Sequence, residues 1–116
     1  MNKNNTKKQG IARTMIFPCK GGYMAVCLDF DIIEEGDTRE ELEESMKEAV
    51  IGYIENVCKN NLDDKLLNRH ADKKYWKIYD SYLDMMKNST KKSISANLKR
   101  SSLFTFPISN NCECFA

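Results

Sequence analysis

Residues 22–50 read GYMAVCLDFDIIEEGDTREELEESMKEAV, and this stretch carries the strongest structural signals of the chain. Its first half predicts two β-strands, over Tyr23 to Phe30 and over Ile32 to Glu35, because extended apolar sequence runs up to a break at Gly36-Asp37. Upstream, Ile11 to Cys19 predicts another strand, joined to the next by a glycine-containing hairpin turn. The three strands together predict an antiparallel meander.

Local signals also mark the hairpin turn and the start of a helix. The turn Lys20-Gly21-Gly22 is predicted from its Gly-Gly pair, because glycine readily adopts the positive φ angles of a tight hairpin. Thr38 and Glu41 predict a capping box, in which the hydroxyl accepts a hydrogen bond from the Glu41 amide and the carboxylate reaches back to the Thr38 amide. The helix should continue to about Lys59, with one apolar stripe facing the sheet. That stripe consists of Leu42, Met46, Ala49, Val50, Tyr53, Ile54 and Val57.

The chain as a whole predicts one domain of the α+β class. Its 116 residues leave room for a single modest core. We expect a three- or four-stranded, mostly antiparallel sheet in the order β-β-β-α, with the long helix packed across one face, a C-terminal helix and a late strand. A single domain is predicted over residues 11–109, between a disordered basic tail (1–10) and a C-terminal tail (110–116). Within the domain we expect a core (11–59), a helical extension (62–87), a basic loop (88–102) and a last strand (103–108). The helical extension contains a short turn (63–69) and a helix from Asp72 to about Met86.

Hydropathy and cysteine content predict a cytoplasmic protein without a cofactor. No apolar run approaches the ~20 residues of a membrane span, and the polar, basic N-terminus does not resemble a signal peptide. Five cysteines are an odd number, which favours reduced thiols in a chain without an export signal. Cys112 and Cys114 lack the partner pair that a structural metal site needs, so no metal is predicted.

Charge is segregated along the chain although the net charge is only +1. Ten carboxylates lie between Asp29 and Glu48, whereas the segment from Lys87 to Arg100 has five cations and no acid. Both segments could be solvated faces, or either could bind a partner of opposite charge. The cations, which are the candidate nucleic-acid contacts, are Lys87, Lys91, Lys92, Lys99 and Arg100.

Aromatic residues cluster on the predicted C-terminal helix. Tyr75, Trp76 and Tyr79 recur at helical spacing, which is more typical of core or of a dimer surface than of a ligand site. A sheet this small also leaves edge strands, and an unpaired edge is a template for a second chain. We therefore expect a homodimer, formed through a strand edge or through this helix.

The residue pattern does not predict an enzyme. His70 is the single histidine, and nothing in the sequence places it beside a nucleophile. The alternative that stays open is a metal-dependent nuclease. Asp29 and Asp31, two apart on one strand face, could bind magnesium together with Glu48 of the crossing helix.

The stretch from residue 22 to residue 50 resembles the HicB-type antitoxin family. The family's motifs are a glycine-tyrosine-x-alanine strand, an aspartate-leucine pair, glycine-aspartate-threonine, two acids, and a helix ending in glutamate-alanine. In this chain they are Gly22-Tyr23-x-Ala25, Asp29-Phe30, Gly36-Asp37-Thr38, Glu40-Glu41 and Glu48-Ala49. The match covers about a quarter of the chain. It implies a partial ribonuclease H-like fold without the catalytic residues.

The resemblance also implies a partner, a small basic HicA-like toxin that cleaves RNA and is neutralised when its RNA-binding surface is covered. The acidic segment offers a binding surface for such a partner, and the candidate residues are Glu34, Glu35, Asp37, Glu40 and Glu44. Many family members append a ribbon-helix-helix or helix-turn-helix, and residues 60–116 show neither pattern. The sequence therefore does not predict operator DNA binding. A nucleic-acid-binding module that uses the basic segment is the main alternative.

Overall fold

A computed structural model describes residues 4–87 and 101–108 of the chain. Within them lies a four-stranded antiparallel sheet, in the spatial order β3-β2-β1-β4, together with two α-helices. The elements are β1 (Ile11–Cys19), β2 (Gly22–Cys27), β3 (Ile32–Gly36), α1 (Arg39–Lys59), a 3-10 turn (Asp64–Leu67), α2 (Lys73–Lys87) and β4 (Ser102–Pro107). The predicted α+β fold, with a late strand completing the sheet, is confirmed.

The β1–β2 hairpin uses its glycines differently from the prediction. Positive φ angles occur at Lys20 (49°) and Gly21 (82°), as a two-residue hairpin turn requires. Gly22 is the first residue of β2 and is needed for another reason. A Cβ atom at Gly22 would lie 2.6 Å from the carbonyl oxygen of Gly36, so only glycine lets β2 and the end of β3 approach this closely.

Helix α1 begins at its predicted N-cap and buries its predicted apolar stripe, but only one of the two predicted capping-box bonds forms. Thr38 is the N-cap, and its hydroxyl accepts a hydrogen bond from the Glu41 amide at 3.2 Å. The predicted reciprocal bond from the Thr38 amide does not form among the described residues, because the Glu41 carboxylate instead accepts from the Thr38 hydroxyl at 3.0 Å. The central stripe residues Met46, Val50 and Ile54 are all 0% exposed. They pack in the main core, which includes Ala12, Ile16, Ala25 and Cys27 of the facing strands and Phe30 of the turn after β2.

Helix α2 packs against the opposite face of the sheet. Successive residues of a strand point to opposite faces, so Ala25 and Cys27 belong to the main core while Val26 and Leu28 belong to a second cluster. In that cluster they meet Tyr75, Trp76 and Tyr79 of α2, together with Ala71, Phe17 and Met24. The sheet is thus covered by α1 on one face and in part by α2 on the other.

Strand β2 is shorter than predicted. It ends at Cys27, and residues 28–31 form a turn closed by a 2.9 Å hydrogen bond from the Asp31 amide to the Cys27 carbonyl. Asp31 adopts a φ of 59°, in the left-handed region that Asp tolerates better than most residues. The prediction that Asp29 and Asp31 share one strand face is therefore wrong, because neither residue lies on a strand.

The N-terminal segment is docked from Asn5 onward, whereas the sequence predicts a disordered tail over residues 1–10. Asn5 is 4% exposed and exchanges hydrogen bonds with Asn68: its amide donates to the Asn68 side chain at 2.7 Å, and the Asn68 side chain donates to its carbonyl at 2.9 Å. Lys7 forms a 2.6 Å ion pair with Asp64. These contacts fasten the segment to the 3-10 turn. Residues 1–3 lie outside the described residues.

The described cysteines differ in redox state. Cys19 and Cys27 are free thiols, as predicted. Cys58 is disulfide-bonded, so the prediction of reduced thiols is wrong at this residue. Disulfides are typical of oxidising compartments. The predicted cytoplasmic location therefore gives no reason to expect a disulfide at Cys58.

We expect the Cys27 thiol to be unreactive in the native protein. The residue is 0% exposed, and burial raises the pKa of its thiol to about 11 from an ordinary value of 9.0. Because the folded pKa is the higher one, the stabilising contribution of the neutral thiol is complete below about pH 9 and is lost as the pH rises towards 11. Titration with a thiol reagent at pH 8, first without and then with denaturant, measures how far the fold protects the Cys27 thiol from modification.

A Cys27→Ala variant is the control for this titration. This variant should lack the one thiol that reacts only in denaturant, and its half-buried Cys19 should react with the reagent as in the wild type. Rapid modification of Cys27 in the native protein would contradict the described core.

No helix within the described part of the chain is long and apolar enough to span a membrane.

Candidate functional site

The predicted acidic site lies where β3 passes into α1, and we call its five residues the acidic corner (Glu34, Glu35, Asp37, Glu40 and Glu44). Two of them are in β3, one is in the connecting segment, and two are in the first turns of α1. The Gly36 backbone and the Thr38 cap fix the path between strand and helix. The corner is therefore held by regular secondary structure on both sides.

Glu34 is engaged within the chain. The Ser45 hydroxyl of α1 donates a 2.5 Å hydrogen bond to its carboxylate, and the residue is half-buried. This contact pins the start of α1 against the edge strand β3. Of the five corner residues, Glu34 is thus the least accessible to a partner.

Glu35 and Asp37 line one open cavity of about 350 Å³ at the end of the β1–β2 hairpin. Both side chains are exposed, and neither forms a hydrogen bond or ion pair with another described residue. The rest of the lining is Cys19, Lys20, Gly21, Gly22, Tyr23 and Gly36. The cavity therefore combines two carboxylates with one lysine and with glycine backbone.

Cations border the carboxylates of the corner. Lys20 belongs to the cavity lining, and the Arg39 guanidinium lies over the Tyr23 ring, 5.6 Å from its centroid. Lys20 offsets part of the negative charge of Glu35 and Asp37, with which it lines the cavity. The net charge of the cavity mouth is thus smaller than the sequence segment alone suggests.

Glu40 and Glu44 are exposed on α1, one helical turn apart. Residues at this spacing lie on the same face of a helix. Glu40 lies in the first turn, where a carboxylate interacts favourably with the positive end of the helix dipole, so part of its role is to stabilise α1. Together with Glu35 and Asp37, the two residues form the accessible negative surface of the corner.

Asp29 has a structural partner that the sequence analysis did not identify. It is 1% exposed, and its carboxylate accepts three hydrogen bonds from Arg13: one from the backbone amide at 2.7 Å and two from the guanidinium at 2.9 and 3.1 Å. Its own carbonyl accepts a 2.8 Å bond from the Arg69 amide. Asp29 therefore joins β1, the 28–31 turn and the segment that leads to α2.

The Arg13 side chain is enclosed by aromatic residues of α2. Its guanidinium lies 5.1 Å from the centroid of the Trp76 ring, which in turn makes edge contacts with His70 and Tyr79, both at 5.7 Å between centroids. Burial acts to lower the pKa of Arg13, but the hydrogen bonds and negative charge of Asp29 outweigh it and raise the pKa above its ordinary value. The guanidinium thus stays charged beside Asp29.

This arrangement corrects the geometry of the nuclease alternative. Asp29 is occupied by Arg13, Asp31 is exposed on the turn, and Glu48 is exposed on α1. Within residues 4–87 and 101–108, no three His, Cys, Asp or Glu side chains lie close enough together to hold a metal ion. The three carboxylates therefore do not form the predicted cluster.

The aromatic residues proposed as a dimer surface have intramolecular contacts. Tyr75, Trp76 and Tyr79 are half-buried against the second cluster, and Tyr75 lies 6.5 Å from Phe17 between ring centroids. Their packing fixes α2 on the sheet, and a role in dimer formation stays a prediction for their exposed parts.

Among the predicted nucleic-acid contacts, the structure describes only Lys87. It is exposed at the last position of α2. Lys91, Lys92, Lys99 and Arg100 lie outside the described residues, as do the tail from residue 110 and its cysteines.

Comparison of the chain with protein-family models, with curated proteins and with solved structures found no match.

Proposed function

We propose that this chain is a non-catalytic, antitoxin-like domain that neutralises a small basic RNA-cleaving toxin by covering its RNA-binding surface. The observation that carries the proposal is the set of exposed carboxylates at the strand-to-helix corner, within the stretch that resembles HicB-type antitoxins. Because the target of such a toxin is cellular RNA, the proposal places the chain in the cytoplasm.

The physical support for this proposal is the rigidity and charge of the corner. The four accessible carboxylates lie at a strand end and on a capped helix, so this framework fixes their spacing before a partner binds. They belong to Glu35, Asp37, Glu40 and Glu44. Carboxylates on a fixed framework can occupy the positions that RNA phosphates take on a basic protein. Opposite charges also speed the encounter and fix the orientation of the two partners.

The motif residues of the resemblance support the fold more directly than the binding site. Ala25 is in the main core, Gly22 allows the close approach of the Gly36 carbonyl, and Thr38 caps α1. The partner class comes from the resemblance, and the accessible carboxylates supply the physical reason for binding.

The experiment that tests the function first asks whether a small basic reading frame lies beside the gene. That neighbour is then co-expressed with the chain for pull-down and an RNA cleavage assay. We expect the two proteins to co-purify and the chain to suppress cleavage by its partner. The chain alone, with magnesium or manganese, should leave RNA and DNA intact. Cleavage by the pure chain would favour the nuclease alternative.

The nucleic-acid-binding alternative has its own outcome in the same experiment. If the neighbour does not co-purify and the chain is retained on heparin, retention should be lost in Lys91→Glu/Lys92→Glu. Binding through such a basic segment would weaken steeply with salt. That combination would refute the antitoxin proposal.

A further inference from the structure

Strand β3 has one long edge that faces no other strand of the described chain. The sheet order β3-β2-β1-β4 places β3 outermost, so β2 pairs with it along one side only. The turn before β3 and the connection from β3 to α1 are both among the described residues. An open edge of this kind presents N–H and C=O groups with which a further strand can pair.

The register of the sheet shows which backbone groups of β3 point outward. In an antiparallel sheet, successive residues of a strand direct their N–H and C=O groups alternately to its two sides. Just past the end of β2, the Leu28 amide donates to the Arg13 carbonyl of β1. The even-numbered residues of β2 therefore face β1, and its odd-numbered residues bond with the even-numbered residues of β3. The N–H and C=O groups of Ile33 and Glu35 consequently point away from the sheet.

These outward groups have no partner in the described part of the chain. Neither Ile33 nor Glu35 forms a hydrogen bond to a described residue outside its strand pair. Their side chains are also exposed, that of Ile33 to 43%, on the face of the sheet opposite α1. The alternate residue Glu34 points to α1, where it is bonded to Ser45. The edge of β3 is thus accessible through its backbone and through its outer side chains.

Acidic and apolar residues alternate along the exposed positions of β3. Asp31 precedes the strand, Ile33 lies near its centre, and Glu35 and Asp37 follow at every second position; all four are exposed. Lys20 borders the last two in the cavity, which leaves the carboxylates in excess. Two copies of β3 side by side would bring like charges together, whereas opposite charges across two strands stabilise their pairing. The edge therefore favours a strand that carries cations.

We infer that β3 binds an extended basic segment of a partner protein as a fifth, antiparallel strand of the sheet. The segment has the pattern cation-x-apolar-x-cation, with its apolar residue opposite Ile33 and one cation opposite Glu35. In strand addition, main-chain hydrogen bonds supply affinity and the alternate side chains supply specificity. The inference deepens the proposed function, on which the identity of the partner as a small basic toxin rests, by naming the element to which that partner binds.

The test is an NMR titration of the isotope-labelled full chain, at low salt, with the blocked peptide Thr-Lys-Thr-Val-Thr-Lys-Thr. We expect saturable shifts of the β3 amide signals, with slower hydrogen exchange at Ile33 and Glu35. Methylation of the valine N–H, which points to β3 in the inferred pair, should abolish both changes. Methylation of the adjacent threonine N–H, which points away, should preserve them. Equal binding of the two methylated peptides, or no change at β3, would overturn the inference.

A matched pair of variants tests the edge from the side of the protein. Ile33→Pro removes an outward N–H that takes no part in the pairing with β2, a position where an edge strand tolerates proline. Ile33→Thr changes the side chain and keeps that N–H. We expect Ile33→Pro to bind the peptide up to about tenfold more weakly than Ile33→Thr, the effect of one lost hydrogen bond. Circular dichroism checks that both variants fold, and equal affinity of the folded variants would contradict strand addition.

Failure of this inference and failure of the proposed function give different results. If the chain binds a small basic toxin while the β3 amides do not respond to that toxin, the proposed function stands and strand addition is refuted. If the peptide pairs with β3 but the chain binds no such toxin, strand addition stands and the proposed function is refuted. The methylated peptides decide the inference even if Ile33→Pro does not fold.

Discussion

Met46→Asp is expected to abolish cooperative folding. Met46 is 0% exposed in the centre of the α1 stripe, between the helix and the sheet. The substitution removes its packing and places an unpaired carboxylate in an apolar environment, a combination that destabilises by about 5 kcal/mol or more. Total stabilities of small domains are themselves roughly 5–15 kcal/mol. Far-UV circular dichroism during urea titration measures the change.

The control is Lys47→Asp, at the next position of the same helix, whose side chain is exposed. It introduces the same residue into the same element and should shift the free energy of unfolding by about 1 kcal/mol or less. A Met46→Asp protein with the wild-type urea midpoint would mean that α1 does not cover the sheet.

Breaking the Arg13–Asp29 pair should have the second largest effect. The side chains are 12% and 1% exposed, so removal of either partner leaves the other charge buried and uncompensated. We expect Asp29→Asn and Arg13→Ala each to lower the free energy of unfolding by about 3–5 kcal/mol. The double variant should lose clearly less than the sum, because the two residues act on each other.

Asp31→Asn is the matched control for Asp29→Asn, since it makes the same chemical change two residues away at an exposed position of the same turn. It should alter stability by less than about 1 kcal/mol. Equal effects at the two aspartates, or full additivity of the Arg13 and Asp29 variants, would contradict the structural role assigned to Asp29.

Local signals were sufficient to predict most of the elements. The capping box at Thr38 and the apolar spacing after it determine α1, and extended apolar runs beside Gly21 and Gly36 determine the strands. These signals act over a few residues, so they can be identified in one sequence. The late strand β4 was predicted from its alternating apolar residues.

The errors concern contacts between distant parts of the chain. Strand β2 was predicted to continue through Asp29, because nothing local shows that this carboxylate turns to a residue sixteen positions earlier, Arg13. The docking of Asn5 depends on Asn68. The position of α2 on the second sheet face depends on strand alternation and register, which the sequence of α2 does not contain.

The acidic corner was predicted from the density of acidic residues in the sequence alone. That density does not show which of the carboxylates is accessible to a partner. Glu34 and Glu35 are adjacent in sequence, yet one is bonded to Ser45 and the other lines an open cavity. The different surroundings of these two carboxylates follow only from the register of β3 against β2 and α1. Charge density along the chain also does not show that Lys20 of the hairpin turn lies beside these carboxylates.

The measurement that tests the proposed function most directly is the affinity of the chain for a small basic RNA-cleaving protein, sought first among the reading frames beside its gene. This affinity is compared between two charge-reversal pairs. Glu35→Lys/Asp37→Lys alters the corner, whereas Glu48→Lys/Glu55→Lys makes the same change in net charge at exposed positions further along α1. The account predicts that the corner variant binds at least about tenfold more weakly, a loss of roughly 1.4 kcal/mol, and that the control binds nearly as tightly as the wild type. Equal affinity of the two variants, or no binding by the wild-type chain, would contradict it.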